Sequence, residues 1–192
     1  MTKPETIRSM LAAGRHPLSV GRAQEVAAII LAHPKKMSKL AECLWDEDPG
    51  VANRAADALE RASFRQPPLA APWKESLLGL LAEAAQNKLR WNLALIVPRL
   101  TLTAPECRRV AAILRIYLED KSSIVKTCAM QGLAELTRQD SSLLPEVLDL
   151  LRILARSGTP AMRARGRILL RKLEAPNPSL ARFRKSVLNK PS

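Results

Sequence analysis

The side chains that could carry out chemistry are few and scattered along this chain. The two histidines, His16 and His33, lie far from each other and from the three cysteines, Cys43, Cys107 and Cys128. No Cys-x-x-Cys or His-Glu-x-x-His spacing occurs, and neither a phosphate-binding glycine loop nor a Gly-x-Ser-x-Gly turn is present in the sequence. We therefore expect no catalytic residue, no metal site and no cofactor.

An acidic cluster at Asp46, Glu47 and Asp48 could be mistaken for a metal site. A calcium loop needs more oxygen ligands in a fixed order. Asp48 is followed by Pro49, and an aspartate before a first-turn proline is typical of a helix N-cap. The cluster is therefore predicted to be a turn that leads into a helix. Similar start signals are Thr159-Pro160 and two capping boxes with an internal proline, Thr2–Glu5 and Thr103–Glu106.

The composition favours helices that pack through aliphatic side chains. Hydrophobic residues make up 47% of the 192 residues, but aromatic residues only 3%, and there are seven glycines. The apolar runs are far shorter than the roughly 20 residues that a membrane span needs, so we expect no membrane span. The N-terminus shows no signal-peptide pattern, and the odd, widely spaced cysteines fit a reducing compartment. We therefore expect a mature cytoplasmic protein.

The positive charge is concentrated near the C-terminus. The net charge is +13, from 31 basic and 18 acidic residues. Residues 1–151 hold 20 basic and 17 acidic side chains, whereas residues 152–192 hold 11 basic side chains and only one acidic side chain, Glu174. This asymmetry hints at an anionic partner and says nothing about the fold.

Four segments of twelve residues repeat a helical pattern. They begin at Val51, Leu89, Val125 and Met162, at spacings of 38, 36 and 37 residues. Small or apolar residues recur at the first, fifth and ninth positions, which is the stripe of an amphipathic helix. The fifth positions are Ala55, Leu93, Ala129 and Gly166, and the ninth are Leu59, Val97, Leu133 and Leu170. Each segment follows another apolar segment, which predicts four pairs of helices. A helix from about Ser19 to Ala32, with a partner before Gly14, adds a fifth pair and gives about ten helices.

Two of these units resemble the HEAT repeat. The matching residues are Leu44, Asp46, Asp48, Pro49, Val51, Ala55 and Leu59 in one unit, and Leu118, Asp120, Val125, Lys126, Ala129 and Leu133 in another. The resemblance implies an all-α fold, a right-handed α–α superhelix (solenoid) of about five helical hairpins. The expected units are 1–33, 35–66, 71–101, 104–139 and 142–174 in a single domain, 1–174, followed by a basic tail, 175–192.

The resemblance also implies a concave surface lined by the second helix of each pair. Positions 3 and 7 of the repeated segments point away from the core, and the residues predicted to face a protein partner there are Asn53, Asp57, Trp91, Leu95, Thr127 and Gln131. An outward tryptophan is a candidate anchor for a partner. Alternatively, Trp91 folds over a neighbouring helix, or Pro98 bends its helix enough to bury it.

Basic residues form a second candidate site, for an anion or a nucleic acid. The candidates are Arg90, Lys126, Arg163, Arg167 and Arg171 in the repeats, and Arg182, Arg184 and Lys185 in the tail. The alternatives are that a basic residue at position 2 pairs with a turn carboxylate such as Asp120, that the last repeat helix shows only a solvated face, and that the tail caps the solenoid.

The function expected from the resemblance is a non-enzymatic scaffold that binds a protein partner on its concave face. The alternative is binding of DNA or RNA through phosphate contacts with the basic C-terminal region. A third possibility is an enzyme, because some HEAT-like proteins are DNA glycosylases with Trp, Asp and Arg in a cationic groove. Trp91, Asp57 and Arg54 superficially resemble that set. The sequence leaves the oligomeric state open.

Overall fold

Ten α-helices account for most of the part of the chain that the computed structural model describes, which is residues 5–14, 16 and 19–175. The helices are α1 (Ile7–Ala12), α2 (Ala23–Ala32), α3 (Met37–Glu42), α4 (Pro49–Arg65), α5 (Lys74–Glu83), α6 (Asn87–Ile96), α7 (Ala104–Tyr117), α8 (Ser123–Leu136), α9 (Leu144–Ser157) and α10 (Pro160–Glu174). Short 3-10 segments lie between several of them, and no strand occurs in the described residues. The predicted all-α class is confirmed.

The predicted helix starts are confirmed by their hydrogen bonds. The Asp48 carboxylate accepts a hydrogen bond from the backbone N–H of Gly50 at 2.7 Å, with Pro49 in the first turn of α4. Thr103 and Glu106 form the expected capping box at the start of α7. The Thr159 hydroxyl accepts a hydrogen bond from the backbone N–H of Met162 and thereby caps α10. The box predicted at Thr2–Glu5 begins outside the described residues.

The repeated apolar stripe forms the core, as its period predicts. The first, fifth and ninth positions of the segments in α4 and α8 are fully buried: Val51, Ala55, Leu59, Val125, Ala129 and Leu133. At the eighth position of α8 stands Gly132, where a Cβ would lie 2.5 Å from the carbonyl oxygen of Ala94 in α6. A larger residue would therefore push α6 and α8 apart.

The helices contact one another in a regular order. Each odd-numbered helix packs against the even-numbered helix that follows it. The even-numbered helices α2, α4, α6, α8 and α10 also pack against one another in chain order. This row brings side chains from four or five separate segments of sequence onto one surface.

Two turn aspartates, 74 residues apart, tie neighbouring hairpins together. Asp46 and Asp120 each accept a hydrogen bond from the backbone N–H two residues further along, at 3.0 and 2.7 Å. Each carboxylate also pairs with an arginine of the preceding hairpin, Asp46 with Arg8 of α1 at 2.6 Å and Asp120 with Arg90 of α6 at 2.7 Å. The motif that recurs in the sequence thus makes the same local contacts in both units.

A buried arginine fixes the segment between α1 and α2 against α4. Arg54 is only 2% exposed, and its guanidinium donates hydrogen bonds to the backbone carbonyls of Leu11 and His16. Three glycines clear space for this side chain, since a Cβ on any of them would come within 2.8 Å of it: Gly14, Gly21 and Gly50. Gly21 also has a positive φ of 49°, which favours glycine.

The same segment reaches α6 through a second buried cation. Lys88 donates a hydrogen bond to the carbonyl of Ser19 at 3.2 Å, and burial lowers the pKa of its ammonium group. Asn53, next to Arg54, is 3% exposed, and its Oδ1 has no hydrogen-bond partner among the described residues. Asn53, predicted from the sequence to face a protein partner, is thus buried in this structure.

Candidate interaction groove

A groove of about 540 Å³ crosses the row of even-numbered helices from α4 to α10. We call it the α4–α10 groove. The residues that line it are Phe64, Leu95, Arg99, Thr127, Cys128, Gln131, Gly132, Glu135, Arg138, Arg165 and Lys172. Its position follows from the packing order, because only the stacking of α4, α6, α8 and α10 brings these residues together.

Three of the six residues predicted to face a partner line this groove. Leu95, Thr127 and Gln131 are half-buried there. Asp57 is half-buried outside the groove and pairs with Arg61 at 3.3 Å. Trp91 is half-buried, packs against the hydrophobic core and does not line the groove, which favours the alternative that it folds over neighbouring helices.

The aromatic side chain at the groove is Phe64, which the sequence analysis did not select. It lies in the last turn of α4 and is 68% exposed. The guanidinium of Arg99 lies over its ring at 5.0 Å from the centroid, within the range of a cation–π contact. Phe64 lies seven residues after Asp57, two turns further along the same face of the helix. Extending the outward stripe beyond the twelve-residue segment would have found it.

Phe64 also borders a second depression. This depression, of about 500 Å³, lies between α2 and α4, and Leu31 and Arg65 help to line it. The exposed ring is therefore accessible from two sides of a continuous surface.

The charged side chains of the groove are connected by hydrogen bonds and ion pairs, but the cations outnumber the carboxylates. The Glu135 carboxylate pairs with Arg138 at 2.7 Å and with Lys172 at 3.3 Å. Gln131 donates a hydrogen bond to the same carboxylate at 2.8 Å, and its own amide oxygen accepts one from Arg165 at 3.4 Å. One carboxylate thus pairs with two cations, while Arg165 has no ion-pair partner among the described residues and donates to an amide oxygen.

Two of the predicted anion-binding residues lie close to a carboxylate. Arg90 donates to the carbonyl of Ala84 at 2.7 Å, pairs with Asp120, and lies 5.2 Å from the ring centroid of Tyr117. These contacts match the alternative named above, that a basic residue at position 2 pairs with the turn carboxylate of Asp120, since the guanidinium of Arg90 is occupied by groups of the protein. Lys126 is half-buried, and its charge helps to hold the pKa of the Asp120 carboxyl below its ordinary value.

The predicted arginine stripe of α10 lies outside the groove. Arg163, Arg167 and Arg171 are exposed and make no ion pair with any described residue. At about 100° per residue they lie on roughly the opposite side of α10 from the groove residues Arg165 and Lys172. The tail residues Arg182, Arg184 and Lys185 lie outside the described residues.

The thiol in the groove is a poor nucleophile. Burial raises the pKa of Cys128 to about 11, so at neutral pH the group is an uncharged thiol. Within residues 5–14, 16 and 19–175, no cluster of three or more His, Cys, Asp or Glu side chains could hold a metal ion. Arg54, one of the three residues that resemble a glycosylase set, lies in the core and cannot contact DNA in a groove.

Comparison of the sequence with models of known protein families and with curated proteins finds no match. Among the described helices, none combines the length and the apolar character needed to cross a lipid bilayer.

Proposed function

We propose that this chain is a non-enzymatic scaffold of the HEAT type, a right-handed solenoid of five hairpins that binds a protein partner on its concave face. The resemblance of the repeated units and the ordered packing of α2, α4, α6, α8 and α10 support this proposal. The concave face corresponds to the α4–α10 groove.

The observation that carries the proposal is the exposed ring of Phe64 beside Leu95 in a groove that four helices build. An aromatic side chain that is 68% exposed costs solvation free energy unless a partner covers it. Aromatic residues, phenylalanine among them, and arginine are enriched at protein interfaces relative to the rest of the surface. Half-buried Leu95 extends the apolar surface towards α8.

The test is proximity labelling in the cells that make this protein, followed by mass spectrometry. We expect the double variant Phe64→Ser, Leu95→Asp to lose specific neighbours that the unmodified chain labels, because loss of a central apolar contact weakens binding by about tenfold or more. Phe64 is exposed, and Leu95 is half-buried but is not among the side chains of the described core, so circular dichroism and thermal unfolding are expected to show a folded chain.

The matched control is Ile116→Ser. Ile116 lies on α7, is 71% exposed and does not line the groove. This variant is expected to label the same neighbours as the unmodified chain. Identical sets of labelled proteins from the groove variant and from the unmodified chain would contradict the scaffold proposal.

A second candidate function is binding of nucleic acid through the outer side of α10 and the tail. The exposed arginines Arg163, Arg167 and Arg171, without an ion-pair partner among the described residues, favour it. Contacts to phosphates would be strongly salt-dependent, since each neutralised phosphate releases a counterion. We expect DNA or RNA affinity to fall steeply with salt, and replacement of the three arginines by alanine to flatten that slope.

A variant with Lys35, Arg109 and Arg156 changed to alanine is the control, because these exposed residues belong to elements other than α10 and also make no ion pair within the described part of the chain. It is expected to keep the salt slope of the unmodified protein. No measurable binding at low salt, or equal slopes in both variants, would exclude this second function.

A further inference from the structure

The charges of the α4–α10 groove restrict the chemistry of its occupant. Four cations line it, Arg99, Arg138, Arg165 and Lys172, whereas Glu135 is the carboxylate among its lining residues. Glu60 pairs with Arg99 at 2.8 Å from the side of α4. Even after these internal pairs, two positive charges in the groove are left without a carboxylate of their own.

Two of the cations, Arg165 and Lys172, lie on a different helix from the apolar groups of the groove. Phe64 and Leu95 belong to α4 and α6, while Arg165 and Lys172 lie two turns apart on the same face of α10. An occupant that fits both halves needs negative charge on one side and an apolar side chain on the other.

We propose, on the basis of the scaffold function above, that the α4–α10 groove binds an acidic peptide segment carrying an aromatic or aliphatic side chain. The carboxylates of the peptide pair with Arg165 and Lys172, and its apolar side chain packs against Phe64 and Leu95. Carboxylates match the guanidinium of Arg165 well, because a guanidinium donates two parallel hydrogen bonds to one carboxylate.

A nucleic acid fits the same groove less well. Among the described groove residues Phe64 supplies the one aromatic ring, and a face of that ring already contacts Arg99. The groove therefore offers little aromatic surface on which bases could stack. The carboxylates of Glu60 and Glu135 would repel a phosphate backbone, whereas a peptide can place its fewer charges beside the cations only.

The experiment is fluorescence anisotropy with labelled synthetic peptides of about twelve residues, a length typical of peptide recognition. The first peptide is glutamate-rich with a central Leu-Phe pair. In the second, serines replace that pair, and in the third, lysines replace the glutamates. An oligonucleotide of matching charge is the fourth probe. We expect saturable binding of the first peptide only.

Two charge variants locate the binding site. Arg165→Gln, Lys172→Gln should weaken binding of the first peptide by about fivefold to tenfold, since two partly exposed ion pairs with its carboxylates are lost. Arg109→Gln, Arg156→Gln removes the same charge from α7 and α9 and should change the affinity by less than about twofold. All four side chains are exposed, so folding is not expected to differ.

The inference is overturned if the acidic apolar peptide does not bind, if both charge variants weaken it equally, or if the oligonucleotide binds the groove as well as the peptide does. The scaffold proposal is tested separately. If Phe64→Ser, Leu95→Asp loses its cellular neighbours while no acidic peptide binds, the scaffold proposal stands and the inference about its partner fails.

Discussion

Helices α6 and α10 carry an arginine at the same position of the repeated segment and use it differently. Arg90 of α6 pairs with Asp120, donates to a backbone carbonyl and stacks on Tyr117. Arg163 of α10 is exposed and makes no ion pair with a described residue. The difference lies in what comes next, since Asp120 belongs to the hairpin after α6, and α10 is the last described helix.

A basic side chain is therefore structural where the following hairpin supplies a turn carboxylate. The pair of Arg8 with Asp46 repeats the arrangement of Arg90 with Asp120. Arg54 is also structural, because its guanidinium is buried and donates hydrogen bonds to backbone carbonyls. A large net charge thus says little about function until the cations that the fold uses are separated from those it leaves exposed.

The most sensitive of the structural cations is Arg54. We expect Arg54→Ala to lower the free energy of unfolding by about 3–5 kcal/mol, since it leaves a cavity and removes the donor from two carbonyl groups. Urea unfolding followed by circular dichroism measures this, with Arg163→Ala as the control. A loss below about 1 kcal/mol would mean that Arg54 does not hold the segment between α1 and α2.

Arg90 and Asp120 should have the next largest effect. Arg90→Gln and Asp120→Asn are each expected to cost about 1–3 kcal/mol, because each leaves a poorly exposed charged group without its partner. A double-mutant cycle measures the coupling between them. If the losses in the free energy of unfolding are additive, the two side chains do not interact energetically. The contrast between a structural Arg90 and an exposed Arg163 would then not hold.

The free energy of unfolding at acidic pH provides a finer test of the same pair. Burial tends to raise the pKa of the Asp120 carboxyl, but the backbone N–H of Ser122 and the guanidinium of Arg90 outweigh burial and lower it. The stabilisation is therefore fully present above the unfolded pKa, about 3.9, and is lost as the pH falls through the lower folded pKa. The stability difference between the unmodified chain and Asp120→Asn should shrink below about pH 4. A constant difference down to pH 2.5, by urea unfolding, would contradict this.

Local features of this fold could be predicted from the sequence. The caps at Asp48, Thr103 and Thr159 form within a single turn, so residue type and spacing are sufficient to predict them. The buried stripe was predictable because the period of a helix is fixed, as Val51 and Ala55 illustrate.

Features that depend on distant segments could not be predicted. Asn53 occupies an outward position of its repeated segment, yet it is only 3% exposed once the other helices have packed. Arg165 and Lys172 reach the groove only because α10 packs beside α8, and their side of the helix carries no distinctive pattern. Phe64 lies between these cases, since its helical face was predictable but its exposure depends on α2 and α6.

The smallest effect is expected from Arg163→Gln, Arg167→Gln, which tests the other half of the comparison. The change should alter the free energy of unfolding by less than about 0.5 kcal/mol, because neither side chain has an ion-pair partner among the described residues. At low salt the variant should be slightly more stable, since like charges four residues apart on a helix repel each other, and this gain should vanish at high salt. Arg171 is left in place because a cation in the last turn of a helix is stabilising. Urea unfolding at two salt concentrations measures both effects. A loss above about 1 kcal/mol would show that these arginines stabilise the fold as Arg90 does. It would contradict the proposal that the exposed arginines of α10 are available to bind a polyanion.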